Sequence, residues 1–266
     1  MSNQRSEYVE QEYIIPDWPV PKHVRAVSTT RAGGVSQKPY AGFNLAAHVG
    51  DEADAVATNR ALLARSLHLP RAPVWLNQQH GNHIIQAGQP GDLYADGSVT
   101  DQANTVCAVL TADCLPVLFC GRDGWHIAAA HAGWRGLAAG VLESTLEAMQ
   151  CDPSTLLAWL GPAIGPKAFE VGDDVRDCFI DHDTQARTGF IASAADRWLA
   201  NLYELARQRL YAAGVGEIYG GHWCTFNESD RFFSYRRDGI TGRMATLIWL
   251  DEENSSPEFG TMISLN

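Results

Sequence analysis

The sequence predicts a single-domain α/β sandwich built on a mixed β-sheet. Three observations carry that expectation. Apolar runs of strand length mix with amphipathic helical stretches along the whole chain, without the strict alternation of a parallel βαβ fold. No internal repeat or low-complexity linker separates one part of the chain from another. The 266 residues, 45% of them hydrophobic, suffice to bury one large core. Residues 1–23 read as an N-terminal extension and 24–250 as the folded domain. Residues 251–266, acidic and then rich in Ser and Pro, read as a C-terminal tail.

Each element has a local reason. "HVRAVSTTRAGGVS" is a short strand running into a Gly-Gly turn. "GDEADAVATNRALLARSLHLP" is an amphipathic helix, with Asp51 as its expected cap and Val56, Leu62, Leu63 and Leu67 as its buried stripe. The runs "APVWLNQQ", "HIIQAG", "TVCAVLTA", "LPVLFC" and "WHIAAAHA" follow as strands. "GLAAGVLESTLEAMQ" is a helix that gathers Leu137, Val141, Leu142, Leu146 and Met149 on one side. "LLAWLG" is a strand, "ADRWLANLYELARQRLYAAGVG" a long helix ended by Gly214, and "ATLIWL" the last strand.

The charge balance narrows the function classes. Lys and Arg number 20 against 31 Asp and Glu, a formal charge of -11. Non-specific nucleic-acid binding and membrane-surface binding both need a basic face, so neither is expected; a local anion pocket is still compatible with this charge. The polar, acidic start is no signal peptide, and no apolar stretch approaches the ~20 residues of a membrane span. Six Cys in a chain this long do not resemble a disulfide framework. A soluble cytoplasmic protein with reduced thiols is the expectation.

One apolar run carries an anomaly. "TADCLPVLFC" places Asp113 and Cys114 in what looks like buried strand, where an unpaired carboxylate is costly, and a metal is one way to compensate. Soft or borderline ligands cluster nearby: His80, His83, Cys107, Cys114, Cys120, His126 and His131. His80 lies at a turn broken by Gly81. Cys114 lies at a kink made by Pro116, which lacks a ladder donor and restricts Leu115. His131 closes an apolar strand just before a Gly and a helix. All three fall at strand ends, where ligands of α/β folds gather, and three Cys or His ligands with an open position suit catalytic zinc. His83 reads as an exposed strand start, Cys107 and Cys120 as small core residues, and His126 as a half-buried strand residue.

At these residues the chain resembles the laccase-domain family, also called the polyphenol oxidase or peptidoglycan-editing-factor family, with purine nucleoside phosphorylase activity. The resemblance rests on "TTRAGGVS", "FNLAAHVGDEADAVATNR", "NQQHGNHI", "ADG", "TADCLPVLF", "HAGWRGLAAG", "GPAIGP", "FEVG", "CTF" and "FFSYRRDGITGRMATLIWL". These blocks run over about residues 24 to 250, which would make that span the catalytic domain. The resemblance implies a metal site at His80, Cys114 and His131. One departure is Gln79, where the family commonly has Val. It also implies that Asn44 and Arg60 lie near the substrate.

The resemblance covers several chemistries. The leading one is a zinc enzyme for phosphorolysis of adenosine, inosine, guanosine and methylthioadenosine, with adenosine deamination by an activated water. Asp113 is then the candidate proton shuttle, or else an acceptor that orients a ligand. Arg135, at the expected helix start, is the candidate phosphate contact. Arg236 and Arg237 are read as fold-closing pairs. The redox alternative is copper-dependent polyphenol oxidation, since two His and one Cys also suit copper. A conventional multi-copper site draws on paired H-x-H elements, and the nine His here form none. A third reading is amide hydrolysis that removes L-Ser from a UDP-muramyl intermediate. A binding protein with structural zinc is weakest, because such sites are closed by a fourth ligand. The expected partners are a purine nucleoside and phosphate; oligomeric state is open.

Overall fold

The computed structural model describes residues 11–252, so the expected tail beyond Glu252 and the first ten residues lie outside it. The chain begins β1 (Tyr13–Ile14), β2 (Val24–Thr29), α1 (Ala53–Ser66), β3 (Val74–Trp75), β4 (Ile84–Gln86), β5 (Gly97–Thr100). It continues β6 (Val106–Thr111), β7 (Leu115–Gly121), β8 (Ile127–Ala132), α2 (Trp134–Ala138), α3 (Val141–Met149), β9 (Leu156–Leu160). The last part is β10 (Glu170–Gly172), α4 (Asp173–Ile180), β11 (Phe190–Ala194), β12 (Arg197–Ala200), α5 (Leu202–Ala212), β13 (Glu217–Gly220), α6 (Tyr235–Asp238), β14 (Met244–Leu250).

The strands form three sheets where one was expected. A five-stranded sheet runs β1-β2-β14-β6-β3, a six-stranded one β13-β9-β7-β8-β5-β4, and a small one β10-β12-β11. Both large sheets are mixed: β3 runs parallel to β6, and β13 and β4 run parallel to β9 and β5, beside antiparallel neighbours. The two-residue period of a strand explains the layering. Leu118 and Cys120 of β7 join Cys107 and Val109 of β6 and Ile248 of β14 in one core between the large sheets. Leu115, Val117 and Phe119 of β7 face a second core shared with α3, α4 and α5. Val106, Ala108 and Leu110 of β6 face a third, closed by Leu63 and Leu67 at α1. The α/β sandwich therefore has four layers, and its inner strands are buried on both faces.

Several local expectations change. Tyr13 and Ile14, within the expected extension, pair with β2. Asp51 does not cap α1; its carboxylate accepts from Ser36 Oγ and Asn44 Nδ2, and Glu52 holds the cap position without a side-chain bond. In α1, Leu62 is only partly buried, whereas Val56, Leu63 and Leu67 are buried. The run 72–79 pairs only over Val74–Trp75. Beyond it the Gln78 side-chain amide takes over, donating to Leu110 O at 2.9 Å and accepting from Leu110 N at 2.8 Å. The helix expected over 136–150 breaks at Gly140, whose φ of 91° leaves helical geometry. The long helix expected over 195–216 is instead β12 followed by α5. Asn201 accepts from Glu204 N and starts the helix there. No helix among the described residues is long and apolar enough to cross a membrane.

Candidate metal centre

The Asp113 anomaly resolves into topology. "TADCLPVLFC" is two strands of two different sheets, β6 and β7, and residues 112–114 are the crossover between them. Asp113 takes a φ of 90° to make that bend. The loop between β3 and β4 crosses between the same two sheets and carries His80, with a φ of 58°. His131 lies in β8 opposite Pro116 of β7. Three separate segments thus converge at one end of the sandwich. The ligand atoms of His80, Cys114 and His131 all lie within 4.8 Å of one another. His131 is buried, Cys114 partly so and His80 exposed, which leaves the group open on one side.

Asp96, immediately before β5, holds this arrangement. Its buried carboxylate accepts from the backbone N–H of Gln79 at 3.1 Å, His80 at 2.9 Å and Gly81 at 2.7 Å. It also lies 2.8 Å from His131 Nδ1, and its main-chain oxygen accepts from His131 N at 2.6 Å. Burial pushes the Asp96 carboxyl up, but hydrogen bonds from His131 and Gly81 and the nearby His131 charge more than offset it, so its pKa is lowered. A carboxylate can only accept, so Nδ1 carries a proton and Nε2 is the nitrogen that could serve as a ligand once its own proton is displaced.

The thiol is tuned as well. Burial raises the Cys114 pKa, but the charge and hydrogen bond of His131, with those of His80, bring it down to about 6. Burial lowers His131, and Cys114 and Asp96 more than reverse this, to about 9. A thiol with a lowered pKa beside two histidine rings fits a zinc or copper ion by its donor chemistry. Packing leaves the sulfur no slack, because a methyl group on Gly133 would lie 2.9 Å from Cys114 Sγ and 3.2 Å from His80 Cδ2. A methyl on Gly136 would lie 2.7 Å from Gly81 O, so α2 presses on the His80 loop.

The remaining candidates fall in different places. Cys107 and Cys120 are core residues, and burial pushes both thiols up to about 12. His83 is exposed, and His126 lies 3.6 Å from Asp123, outside the triad. All six cysteines are free. Asp113 accepts from Thr225 Oγ1 and from Arg236 N, each at 2.6 Å. The carboxylate that accepts from His131 and from the His80 loop is Asp96, while the Asp113 bonds also link the crossover to the segment before β14. Arg237 donates to the carbonyls of Thr225, Phe226 and Phe232 and pairs with Asp238, while Arg236 donates to Glu170 O. Asn44 is fully buried, with its amide bound to Ala46, Asp51 and Arg243 N. Arg60 donates to Leu45 O and lies 4.3 Å over the Trp75 ring. Arg135 is exposed on the five-residue α2, 4.3 Å over Trp134. Sequence reasoning missed Asp96. The "ADG" block was its only signal, and its partners at 79–81 and 131 are distant in the chain.

Comparison with known proteins agrees with this architecture. The chain is 55% identical over 239 residues to the Escherichia coli K12 protein named purine nucleoside phosphorylase YfiH, covering 89% of this chain and 98% of that one. It is 51% identical over 241 residues to purine nucleoside phosphorylase PA4543 of Pseudomonas aeruginosa, covering 90% and 99%. The crystal structure of Neisseria meningitidis protein NMB0706 superposes with a TM-score of 0.86 at 51% identity, covering 90% and 99%. YlmD from Geobacillus stearothermophilus superposes with a TM-score of 0.81 at 32% identity, covering 92% and 99%. The family described as multi-copper polyphenol oxidoreductase laccase matches residues 25–251, and the chain belongs to that enzyme family.

Proposed function

We propose that the protein is a zinc-dependent purine nucleoside phosphorylase that also deaminates adenosine, with adenosine, inosine, guanosine and methylthioadenosine as its substrate class. The observation that carries this reading is the group of three donors, His80, Cys114 and His131, open on one side. The relatives named purine nucleoside phosphorylase support the substrate class. Zinc in a three-ligand open site supplies Lewis acidity and an activated water. Asp96 fixes the His131 tautomer and the His80 loop, so two ligands wait in position. Asp113, beside Cys114 and held by Thr225 and Arg236, is the carboxylate we assign to carry a proton for the leaving base. Asn44, Arg60 and Arg135 are the substrate-side residues. Six free thiols accord with a cytoplasmic setting.

Adenosine with phosphate should yield adenine and ribose 1-phosphate, and adenosine without phosphate should yield inosine. His80→Ala should abolish both. Asp113→Asn keeps the shape, and Asn tolerates positive φ, so a fall in turnover with the metal retained would point to the proton role. The second reading, copper-dependent phenol oxidation, draws on the family's description and on the two-His, one-Cys donor set. The same preparation assayed on phenols with and without stoichiometric copper separates the two. Phenol turnover with copper and untouched nucleosides would replace the zinc reading.

A further inference from the structure

A second cluster lies beside the triad, on the loop before α1. Arg60 Nε donates to Leu45 O at 2.9 Å. Arg243, at the start of β14, accepts from Leu45 N through its own carbonyl at 3.3 Å and donates its N–H to Asn44 Oδ1 at 2.9 Å. The Arg60 side chain and the Arg243 main chain are thus fixed to residues 44–45, and His48 follows in the same loop. The Arg243 guanidinium donates through Nη1 to Thr241 O and Gly242 O and lies 5.7 Å over the exposed Tyr235 ring.

No carboxylate among the described residues lies within ion-pair distance of Arg60 or Arg243. Asp51 is engaged by Ser36 and Asn44, and Asp113 by Thr225 and Arg236. Two half-buried guanidinium groups without an ion-pair partner are costly, and they are unexpected in a chain of formal charge -11. The electrostatics join the groups into one field. Burial lowers the His48 pKa, and the charges of Arg243 and Arg60 lower it further. Met244 pairs with Thr111, which sets Arg243 beside the 112–114 crossover that carries Cys114, and burial lowers Arg243, opposed by the Cys114 and Asp113 charges.

We propose that Arg60, Arg243 and His48 form an anion subsite for inorganic phosphate, the second substrate, next to the candidate metal centre. This rests on the phosphorolysis reading. Two guanidinium groups match the charge of a phosphate dianion, and the His48 ring offers a further hydrogen-bonding group to it. From that position a phosphate oxygen forms the bond to the ribose C1′ carbon as the C1′–N9 bond breaks. The electron pair leaves on the purine, which takes up a proton, giving the free base and ribose 1-phosphate. The assignment moves the phosphate contact away from Arg135, which is exposed and stacked on Trp134.

Calorimetric titration of the metal-loaded full chain with inorganic phosphate tests the proposal without needing turnover. Arg243→Gln and Arg60→Gln should each weaken phosphate binding by about tenfold or more, the scale of a lost charge-assisted hydrogen bond. The exposed Arg187→Gln removes the same charge elsewhere and should leave the affinity where it is. Arg243→Lys, which keeps the charge at the start of β14, should fall between wild type and Arg243→Gln, with thermal melts reporting the fold. The His48 ring signals should shift as phosphate is added. Weakening by Arg135→Gln but by neither Arg60→Gln nor Arg243→Gln would overturn the subsite. So would a wild type that cleaves nucleosides yet binds no phosphate. If wild type binds phosphate through Arg60 and Arg243 but leaves nucleosides intact, the subsite stands and the phosphorylase reading fails.

Discussion

At Asp96 one carboxylate holds two of the three candidate ligands, His131 through its ring and His80 through its main chain. Asp96→Asn keeps the volume but loses charge and acceptor capacity, so metal affinity should fall about 10–100-fold, measured by competition with a chromophoric chelator. Unchanged affinity would mean that the His80 loop holds itself. Asp96→Ala should also destabilise the fold, because the buried His131 Nδ1–H loses its acceptor, at about 1–3 kcal/mol, and the 79–81 turn loses its anchor. Cys114 gives a pH-dependent test on the metal-free chain. Its folded pKa of about 6 lies below the ordinary thiol value, so it is thiolate above that pH and loses reactivity as pH falls through it. Alkylation of Cys114 should therefore be well advanced at pH 7, before an ordinary thiol ionises, and bound metal should suppress it. An alkylation profile rising only near pH 9 would refute this.

At the scale of elements, α2 is the piece that fixes the distance between the ligand loops. Gly133→Ala places a methyl against the sulfur and the His80 ring, so metal should be largely lost while the melting temperature of the metal-free form barely moves. Retained metal would show that the two loops can part. Strands β6 to β9 and β14 were legible because they are nearly unbroken apolar runs buried on both faces. β12 was not, since "RWLA" continues the apolar pattern of α5 without a break. The Asn201 cap with Glu204 three residues on marked the true helix start. The three candidate ligands were legible as residues at strand ends, whereas Asp96, His48 and Arg243 were not. The partners of Asp96 and Arg243 are brought near only by the folded sheets.

For the whole molecule, the candidate centre spans two crossovers between the large sheets. A ligand held there is linked to the stability of the entire sandwich. At a hundredfold excess over Kd, zinc should add about 2.7 kcal/mol, on the order of 5–10 °C in melting temperature for a chain of this size. Chelation should remove that increment, and His80→Ala should melt at one temperature with or without the chelator. A melting temperature of wild type indifferent to chelation would separate the centre from the fold. The spacing of the donors also has a kinetic side. A zinc knuckle built on adjacent cysteines can trap an ion while the chain is still forming. Here Cys114 and His131 are brought together by the β7–β8 hairpin, whereas His80 lies much earlier in the chain and joins them only once its crossover between the sheets is in place. Capture by all three donors should therefore wait for the His80 crossover, late in refolding, and until then the chain offers an ion only the two donors of the hairpin.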